Sequence, residues 1–305
     1  MQTTDNVLMV RPVHFAFNEE TASNNAFQQK SRSDVEAMAV QQQAVAEFDA
    51  YVELLRENGV HVEVLQDTPD PFTPDSIFPN NCFSTHCDAN RRTLVLYPMF
   101  APNRRLERTK IQHFLDSMTF DRIVDLTAWE QQGRYLEGTG ALVLDREHRI
   151  AYACRSPRTD EAVLKDWATQ LGYDYFLFDS VDETGMPVYH TNVIMHVGTR
   201  FAIVCLDSVL NLHQRENLLA HLTRSNKEVI AISFDQMHHF SGNMLELRNA
   251  RGEKLLVMSA TAKAALASAQ LALLKQDVRI LAPDIHSIET AGGGSARCMI
   301  AELFS

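Results

Sequence analysis

An α/β fold of repeated strand–helix units is what the sequence predicts, and three features predict it. Short apolar runs rich in β-formers recur from end to end, five longer segments carry apolar residues at three- and four-residue spacing, and the two kinds alternate. No proline-rich, serine-rich or highly charged linker divides the chain, so residues 1–305 are expected to form a single domain.

Val7–Val10 is the first run and leads to a helical segment, Ser33–Asn58, with Gly59 placed to end it. Val60–Leu65 and Leu94–Tyr97 precede the second, Arg104–Met118. Ile123–Leu126, Ala141–Leu144 and Ile150–Cys154 lead to the third, Asp160–Leu171, which Asp160 is suited to cap and Gly172 to stop. Tyr175–Phe178, Val193–Val197 and Phe201–Leu206 come before Leu212–Thr223, with Asp207 the cap candidate and Asn226 near the end. Val229–Ile232, Met244–Leu247 and Leu255–Met258 precede Ala260–Leu274, which Ser259 would cap and whose many alanines read as packed core rather than a membrane surface. Val278–Leu281 follows, and a short apolar strand comes after Cys298. The repeat is structural rather than textual, because units of roughly 50 to 70 residues share no motif. A ring of such units would set loops and strand ends around one central cavity.

Composition narrows the function. With 28 basic and 39 acidic residues the net charge is −11, and no basic cluster is interleaved with aromatics, so nucleic acid is not an expected partner. The N-terminal MQTTDNVLMVRP lacks a charged-then-apolar signal pattern, and no run reaches the roughly 18 apolar residues that span a bilayer. A soluble, cytoplasmic protein without membrane partners is expected. Five cysteines, Cys82, Cys87, Cys154, Cys205 and Cys298, are too few, too scattered and odd in number for a disulfide framework. Cys82 and Cys87 flank His86 at metal-clip spacing, but no matching second pair follows, so no metal is expected and they read as small thiols on a strand and its turn.

Four segments gather glycine, carboxylate, imidazole and amide groups: Pro74-Asp75-Ser76-Ile77-Phe78-Pro79-Asn80-Asn81, Glu137-Gly138-Thr139-Gly140, Tyr189-His190-Thr191-Asn192 and Gly292-Gly293-Gly294-Ser295-Ala296-Arg297-Cys298. A glycine run lets backbone approach a ligand closely, and a thiol just beyond it can be presented to a substrate. A cysteine nucleophile needs a proton acceptor or a cationic neighbour, and an imidazole needs a partner that orients it. Cys298, His190 and Glu137 supply that set. Spacing alone does not select them, since the chain holds 12 histidines and 39 acids.

In this order the four segments resemble those of the guanidine-modifying superfamily, which includes arginine deiminases, dimethylarginine dimethylaminohydrolases, succinylarginine dihydrolases and amidinotransferases. The chain looks most like the amidinotransferase-like branch of citrulline-utilisation hydrolases, over nearly its whole length. The resemblance implies a five-fold pseudosymmetric α/β propeller, or pentein, of ββαβ-type units around a central active site. It maps the nucleophile onto Cys298, the general acid/base onto His190 and the histidine's acidic neighbour onto Glu137, with Asp75 at the substrate pocket. No cofactor is implied; the partner is a small guanidino or ureido substrate, and a homo-oligomer is left open.

Three departures accompany the resemblance. Where related hydrolases carry Pro-Asp-Ser-x-Phe-x-Glu-Asp this chain has Asn80-Asn81; the deiminase His-x-Asp is His190-Thr191-Asn192; and Glu-Gly-Gly-Asp is Glu137-Gly138-Thr139-Gly140. A carboxylate binds a guanidinium through bonds roughly twice as strong as neutral ones, whereas an asparagine both accepts and donates and so can satisfy a carbonyl oxygen. A pocket less dedicated to full positive charge follows, with citrulline-like ureido compounds beside guanidino ones as expected substrates. Succinylarginine dihydrolases resemble the chain at Asn81 and pass through a ureido intermediate.

Ordinary structural readings stand beside these. Cys298 could be a buried apolar thiol, His190 a core histidine and Glu137 a strand terminator, while Asp75, Asn80, Asn81 and Asn192 are residue types that loops favour. Asn18, after the first strand, is placed where related enzymes carry a substrate loop. Met237-His238-His239-Phe240-Ser241-Gly242-Asn243 is read as a solvated turn, in preference to a substrate loop or metal clip. The expected function is a C–N hydrolase of linear amidines working through a covalent cysteine intermediate. An amidinotransferase and a non-enzymatic propeller are the alternatives.

Overall fold

Five three-stranded sheets, each with the same wiring, make up the computed structural model, which describes residues 1–89 and 91–304. In each, a middle strand pairs antiparallel with one neighbour and parallel with the other. The first sheet places β1 (Asn6–Arg11) parallel to β2 (His61–Gln66). The second holds β3 (Phe83–Asp88), β4 (Arg91–Leu96) and β5 (Arg122–Asp125), the third β6 (Val143–Asp145), β7 (Ile150–Cys154) and β8 (Asp174–Phe178). The fourth holds β9 (Met195–Val197), β10 (Phe201–Val204) and β11 (Glu228–Ala231), the fifth β12 (Leu245–Arg248), β13 (Lys254–Val257) and β14 (Arg279–Leu281).

A parallel pair needs a crossover, and here each is helical. The crossovers are α1 (Asp34–Glu57), α2 (Glu107–Ser117), α3 (Glu161–Leu171), α4 (Leu212–Arg224) and, in the fifth unit, Ala260–Ala265 followed by α5 (Ser268–Leu274). The first unit lacks an antiparallel partner until the chain's end, where β15 (Ala301–Glu302) supplies it with Leu8 opposite Ala301 and Val7 opposite Glu302. That last pairing closes the ring and makes the five-fold pseudosymmetric α/β propeller.

Amphipathic helices bury one stripe against the sheets. In α1 the buried residues are Ala44, Glu47, Phe48, Tyr51, Val52 and Leu55, and in α3 they are Val163, Leu164, Trp167 and Ala168. Caps fall largely where expected: Asp160 accepts from Ala162 N, Gly172 ends α3 in a left-handed conformation, and Ser259 accepts from Ala262 N. The cap of α4 is Asn211, not Asp207, which lies in a short 3-10 turn, Leu206–Ser208. Ala260–Leu274 is two helices rather than one, because Leu266 and Ala267 are extended; its buried residues are only Ala262, Leu266 and Leu274, so the segment is an amphipathic cover and not packed core. β3 falls outside the expected apolar runs because its sequence, FSTHCD, is polar. Its buried groups are satisfied internally: Ser84 Oγ bonds both His86 Nε2 at 2.9 Å and Tyr97 Oη at 2.7 Å, and Thr85 Oγ1 donates to Glu302 O.

Immediately before the inner strand of each unit the chain makes one tight turn toward the axis. These turns are Pro79–Asn81, Gly138–Ala141, Thr191–Ile194, Phe240–Asn243 and Ser295–Cys298, preceding β3, β6, β9, β12 and β15. Each bonds to the next. Thr139 Oγ1 donates to Asn80 O (3.2 Å), Thr191 Oγ1 to Ala141 O (2.6 Å), Asn243 Nδ2 to Asn192 O (3.1 Å) and Arg297 N to Asn243 Oδ1 (3.0 Å).

Candidate active site

The axial turns and the residues just before them carry Asn80, Asn81, Glu137, His190, Asn192 and Cys298, and one small cavity lies beside them. Cys298, His190, Asp75 and Asn81 line it, together with Arg104 and Arg158. Its volume, about 20 Å³, is room for roughly one water molecule. The glycine run forms one wall, with Gly292 and Gly294 so close to the Phe78 ring that an added Cβ would sit 2.8 to 2.9 Å from it. Segment Asn18–Gln29 covers the cavity: Asn25 Nδ2 donates to Gly292 O at 3.2 Å, and Arg158 Nε donates to Asn24 Oδ1 at 3.0 Å.

His190 and Glu137 meet at 2.8 Å between Nε2 and Oε2, both buried. Glu137 Oε1 also accepts from Phe100 N at 2.9 Å, and Arg158 and Arg104 approach Oε2 at 3.4 and 3.9 Å. Burial alone would push the Glu137 carboxyl up, but Arg158, the His190 bond and Arg104 together hold it well below the usual carboxylate range. Burial pushes His190 the other way, down to about 4, against the opposing pull of Glu137. The resulting state is a neutral imidazole whose Nε2–H donates to an anionic Glu137 and whose Nδ1 carries the lone pair. Among the described residues Nδ1 has no hydrogen-bond partner, and Gly140 leaves the space beside it open.

Cys298 Sγ receives two amide donors, Asn192 Nδ2 at 3.3 Å and Asn243 Nδ2 at 3.2 Å. Asp75 Oδ2 accepts from Asn18 Nδ2 at 2.7 Å and lies 3.8 Å from Arg104 Nε; desolvation raises its carboxyl above the ordinary value despite Arg104 and Asn18. Among the described residues its Oδ1 has no partner, and neither have Asn80 Oδ1, Asn81 Oδ1 and Asn192 Oδ1. Asn80 is turned toward Thr139 Oγ1, to which its Nδ2 donates at 3.4 Å.

All eight residues chosen from the sequence are therefore buried at or next to the axis. Three further ones were missed. Arg104 opens the expected helical segment Arg104–Met118 and lies in the short helix Pro102–Arg105, and Arg158 lies in a turn after β7; nothing in the sequence marks either as buried. Asn243 lies in the segment read as a solvated turn, and that reading is corrected here: Met237, Ser241 and Asn243 are fully buried, and only His238 and His239 keep substantial exposure. Gly242 backs so closely onto Val193 O that any side chain there would collide. The signal that could have found Asn243 was position, one turn before the fifth inner strand.

A family model described as N,N dimethylarginine dimethylhydrolase, eukaryotic, matches residues 11–305. The chain belongs to this family. That membership, with the five-fold propeller, bears out the guanidine-modifying superfamily expected from the four segments. No curated protein matches. Among solved structures, the N-terminal domain of ArgZ, an arginine dihydrolase of cyanobacteria, as a cysteine-to-serine variant bound to substrate, is 16% identical, covers 97% of each chain and superposes with a TM-score of 0.73. AgrE, in a cysteine-to-alanine variant with L-arginine, is 16% identical with a TM-score of 0.76; the match covers 98% of this chain and 40% of that one. The dimethylarginine hydrolase of Pseudomonas aeruginosa, as a cysteine-to-serine variant with citrulline, is 12% identical, covers 99% and 100% of the two chains and has a TM-score of 0.67. At these identities the likeness is one of fold. Among the described residues no helix is long and apolar enough to cross a membrane, and no cluster of three or more His, Cys, Asp or Glu side chains is arranged to hold a metal ion.

Proposed function

We propose that the protein hydrolyses a C–N bond in the guanidino or ureido group of a small amino acid, through a covalent bond to Cys298. The observation that carries this reading is the convergence on one cavity of the Cys298 thiol and of the imidazole that Glu137 holds. Family membership supports it, as do the substrate bound by ArgZ, an arginine dihydrolase, the L-arginine bound by AgrE and the citrulline bound by the Pseudomonas protein. Arg158 and Asp75 suit a zwitterionic substrate, with a guanidinium for its carboxylate and a carboxylate for its ammonium group, while Arg104, whose Nε and Nη2 are bonded to Glu107, adds positive charge beside them. A substrate of that size reaches Cys298 only when the Asn24–Arg158 and Asn25–Gly292 contacts part.

In this scheme His190 Nδ1 takes the thiol proton, and the thiolate attacks the central carbon of the planar group, forming a C–S bond and a tetrahedral adduct. The imidazolium returns the proton to the departing nitrogen as the C–N bond breaks, releasing ammonia or an amine and leaving the carbon on sulfur. Water then enters. His190 takes one of its protons, the resulting hydroxide adds to the same carbon, and the C–S electron pair returns to sulfur. Unpartnered Asn81 Oδ1 and Asp75 Oδ1 accept N–H bonds from the substrate, and Asn81 Nδ2 provides a donor for a ureido oxygen.

The test is a panel of guanidino and ureido amino acids assayed for ammonia and amine release, with Cys298→Ala as control and amine acceptors added to detect transfer. Turnover lost in the variant, with a substrate-derived mass on Cys298 in quenched wild-type protein, is the expected result. Full turnover in Cys298→Ala overturns the scheme, and products that incorporate the added amine replace hydrolysis with transfer.

A further inference from the structure

We propose that Asn243 is a catalytic residue that, with Asn192, aims two amide donors at the Cys298 sulfur and stabilises the thiolate formed when His190 takes its proton. This rests on the reading of Cys298 as the nucleophile. The two Nδ2 atoms lie 3.2 and 3.3 Å from Sγ, nearer than Asn243 Oδ1, to which the thiol S–H can donate at 3.6 Å. The orientation of the Asn243 amide is set by its other contacts: its Oδ1 accepts from Arg297 N at 3.0 Å, so its Nδ2 must face both Asn192 O, at 3.1 Å, and the sulfur. A neutral thiol is a weak acceptor, whereas a thiolate accepts N–H bonds strongly, so two converging donors are placed to bond the sulfur wherever negative charge forms on it. Buried with no exposed surface, Asn243 loses nothing to solvent competition.

The fold explains how the pair arises. Asn192 and Asn243 sit in the axial turns of consecutive units, three and two residues before their inner strands and 51 residues apart, and Cys298 follows 55 residues later in the next turn. Three neighbouring turns of the ring thus supply donor, donor and acceptor. An aspartate at either asparagine position would aim a carboxylate at the sulfur, offering no donor and repelling the thiolate. The His190-Thr191-Asn192 departure therefore acts on the nucleophile as well as on substrate charge. The same donors serve again when the C–S bond breaks and the electron pair returns to sulfur.

Iodoacetamide alkylation of Cys298 tests this without a substrate, because its rate follows the thiolate population. Asn243→Asp keeps the oxygen that accepts from Arg297 N and is close in size, so it separates the electrostatic role from a structural one; Asn243→Leu removes both. At pH 7 alkylation is expected to slow at least tenfold in Asn243→Asp, the order expected from losing a charge-assisted bond, with kcat falling in parallel and KM little changed. Thermal melting identifies either variant that fails to fold, and a folded Asn243→Asp that alkylates like wild type overturns the proposal, as does a loss seen only in Asn243→Leu. These rates do not depend on turnover. Full activity in Cys298→Ala would sink the hydrolase scheme while leaving the alkylation result to judge Asn243 by itself.

Discussion

Gly140 offers the sharpest structural perturbation of the catalytic scheme. It lies in the short helix Gly138–Ala141, where alanine should by propensity be better than glycine by about 1 kcal/mol. Contact geometry says the opposite. A Cβ added at Gly140 would stand 2.7 Å from His190 Nδ1, 2.8 Å from His190 Cε1 and 2.8 Å from Asn81 Oδ1, against the 3.4 Å or more of ordinary van der Waals contact. One methyl group thus pushes on both the nitrogen proposed to transfer the proton and an oxygen proposed to accept from the substrate, and relief requires each to move by roughly 0.6 to 0.7 Å. The Glu137 bond resists such movement of the imidazole. Misplacing a reacting group by about 1 Å costs on the order of a hundredfold in rate, and overpacking a filled site costs about 1 to 3 kcal/mol. Gly140→Ala should therefore lose roughly 30- to 100-fold in kcat, by the same geometric argument, and lower Tm by a few degrees, about 2 to 6 °C. Steady-state kinetics on whichever panel compound is turned over, with calorimetry on the same preparation, measures both. A variant with unchanged or raised Tm and kcat within about twofold of wild type would refute the placement of His190 Nδ1 beside Gly140.

Three more expectations follow from the same geometry. Glu137→Gln keeps an acceptor for His190 but strips the charge that faces Arg158 and Arg104, so kcat should fall by two orders of magnitude or more and stability by about 3 to 5 kcal/mol, read by kinetics and denaturant unfolding. Asn81→Asp places a carboxylate on the cavity wall and should raise the kcat/KM ratio of guanidinium over ureido substrates by about tenfold, an unchanged ratio excluding Asn81 from the substrate's planar group. Buried His196, pushed down to about 3 first by desolvation and then by Arg297 and Lys227, stays neutral in the fold while its unfolded counterpart, near 6.5, gains a proton. The unfolded state then binds more protons as pH falls through that window, so stability drops on acidification. By pH 5 the cost from His196 is on the order of 2 kcal/mol. Glu107, raised to about 7, and Glu246 oppose it, so the clean measurement is the pH 7 to pH 5 stability difference in His196→Leu, which should be smaller than in wild type by about that amount.

Elements that bury an apolar face on a regular period were readable in the sequence, and those held by polar contacts were not. The apolar runs fell at or within a residue or two of observed strands, because a short buried strand carries its own hydrophobic signal. β3 had none, since its buried Ser84, Thr85 and His86 are paid for by long-range bonds to Tyr97, Arg146 and Glu302 that no local window contains. The same distinction governs the site. Glu137, His190 and Cys298 stand next to glycines or in motifs with a recognisable chemistry, so they could be chosen; Arg104 and Arg158 are held by contacts distant in sequence, Arg104 with Phe78 O and Glu137 and Arg158 with Asn24 and Glu137, that no local window contains.

Asn243 shows what reading by segments misses and reading by symmetry recovers. Its neighbours Met237, His238 and His239 suggest an exposed, metal-like patch, and the helix Phe234–His238 does leave both histidines at the surface. One turn later the chain must dive to the axis to start β12, as it does at Asn81 before β3, Ala141 before β6, Asn192 before β9 and Cys298 before β15. In a ring, a residue's distance from the next inner strand decides how close it comes to the centre, and composition around it decides little. Four of the five axial turns were recognised through their chemistry; the fifth follows from closure. The site is therefore a property of the repeat, with each unit contributing one turn and Cys298 arriving last, on the segment whose pairing with β1 completes the ring. A change that weakens the β1–β15 pairing should disturb Cys298 before it disturbs the other four turns.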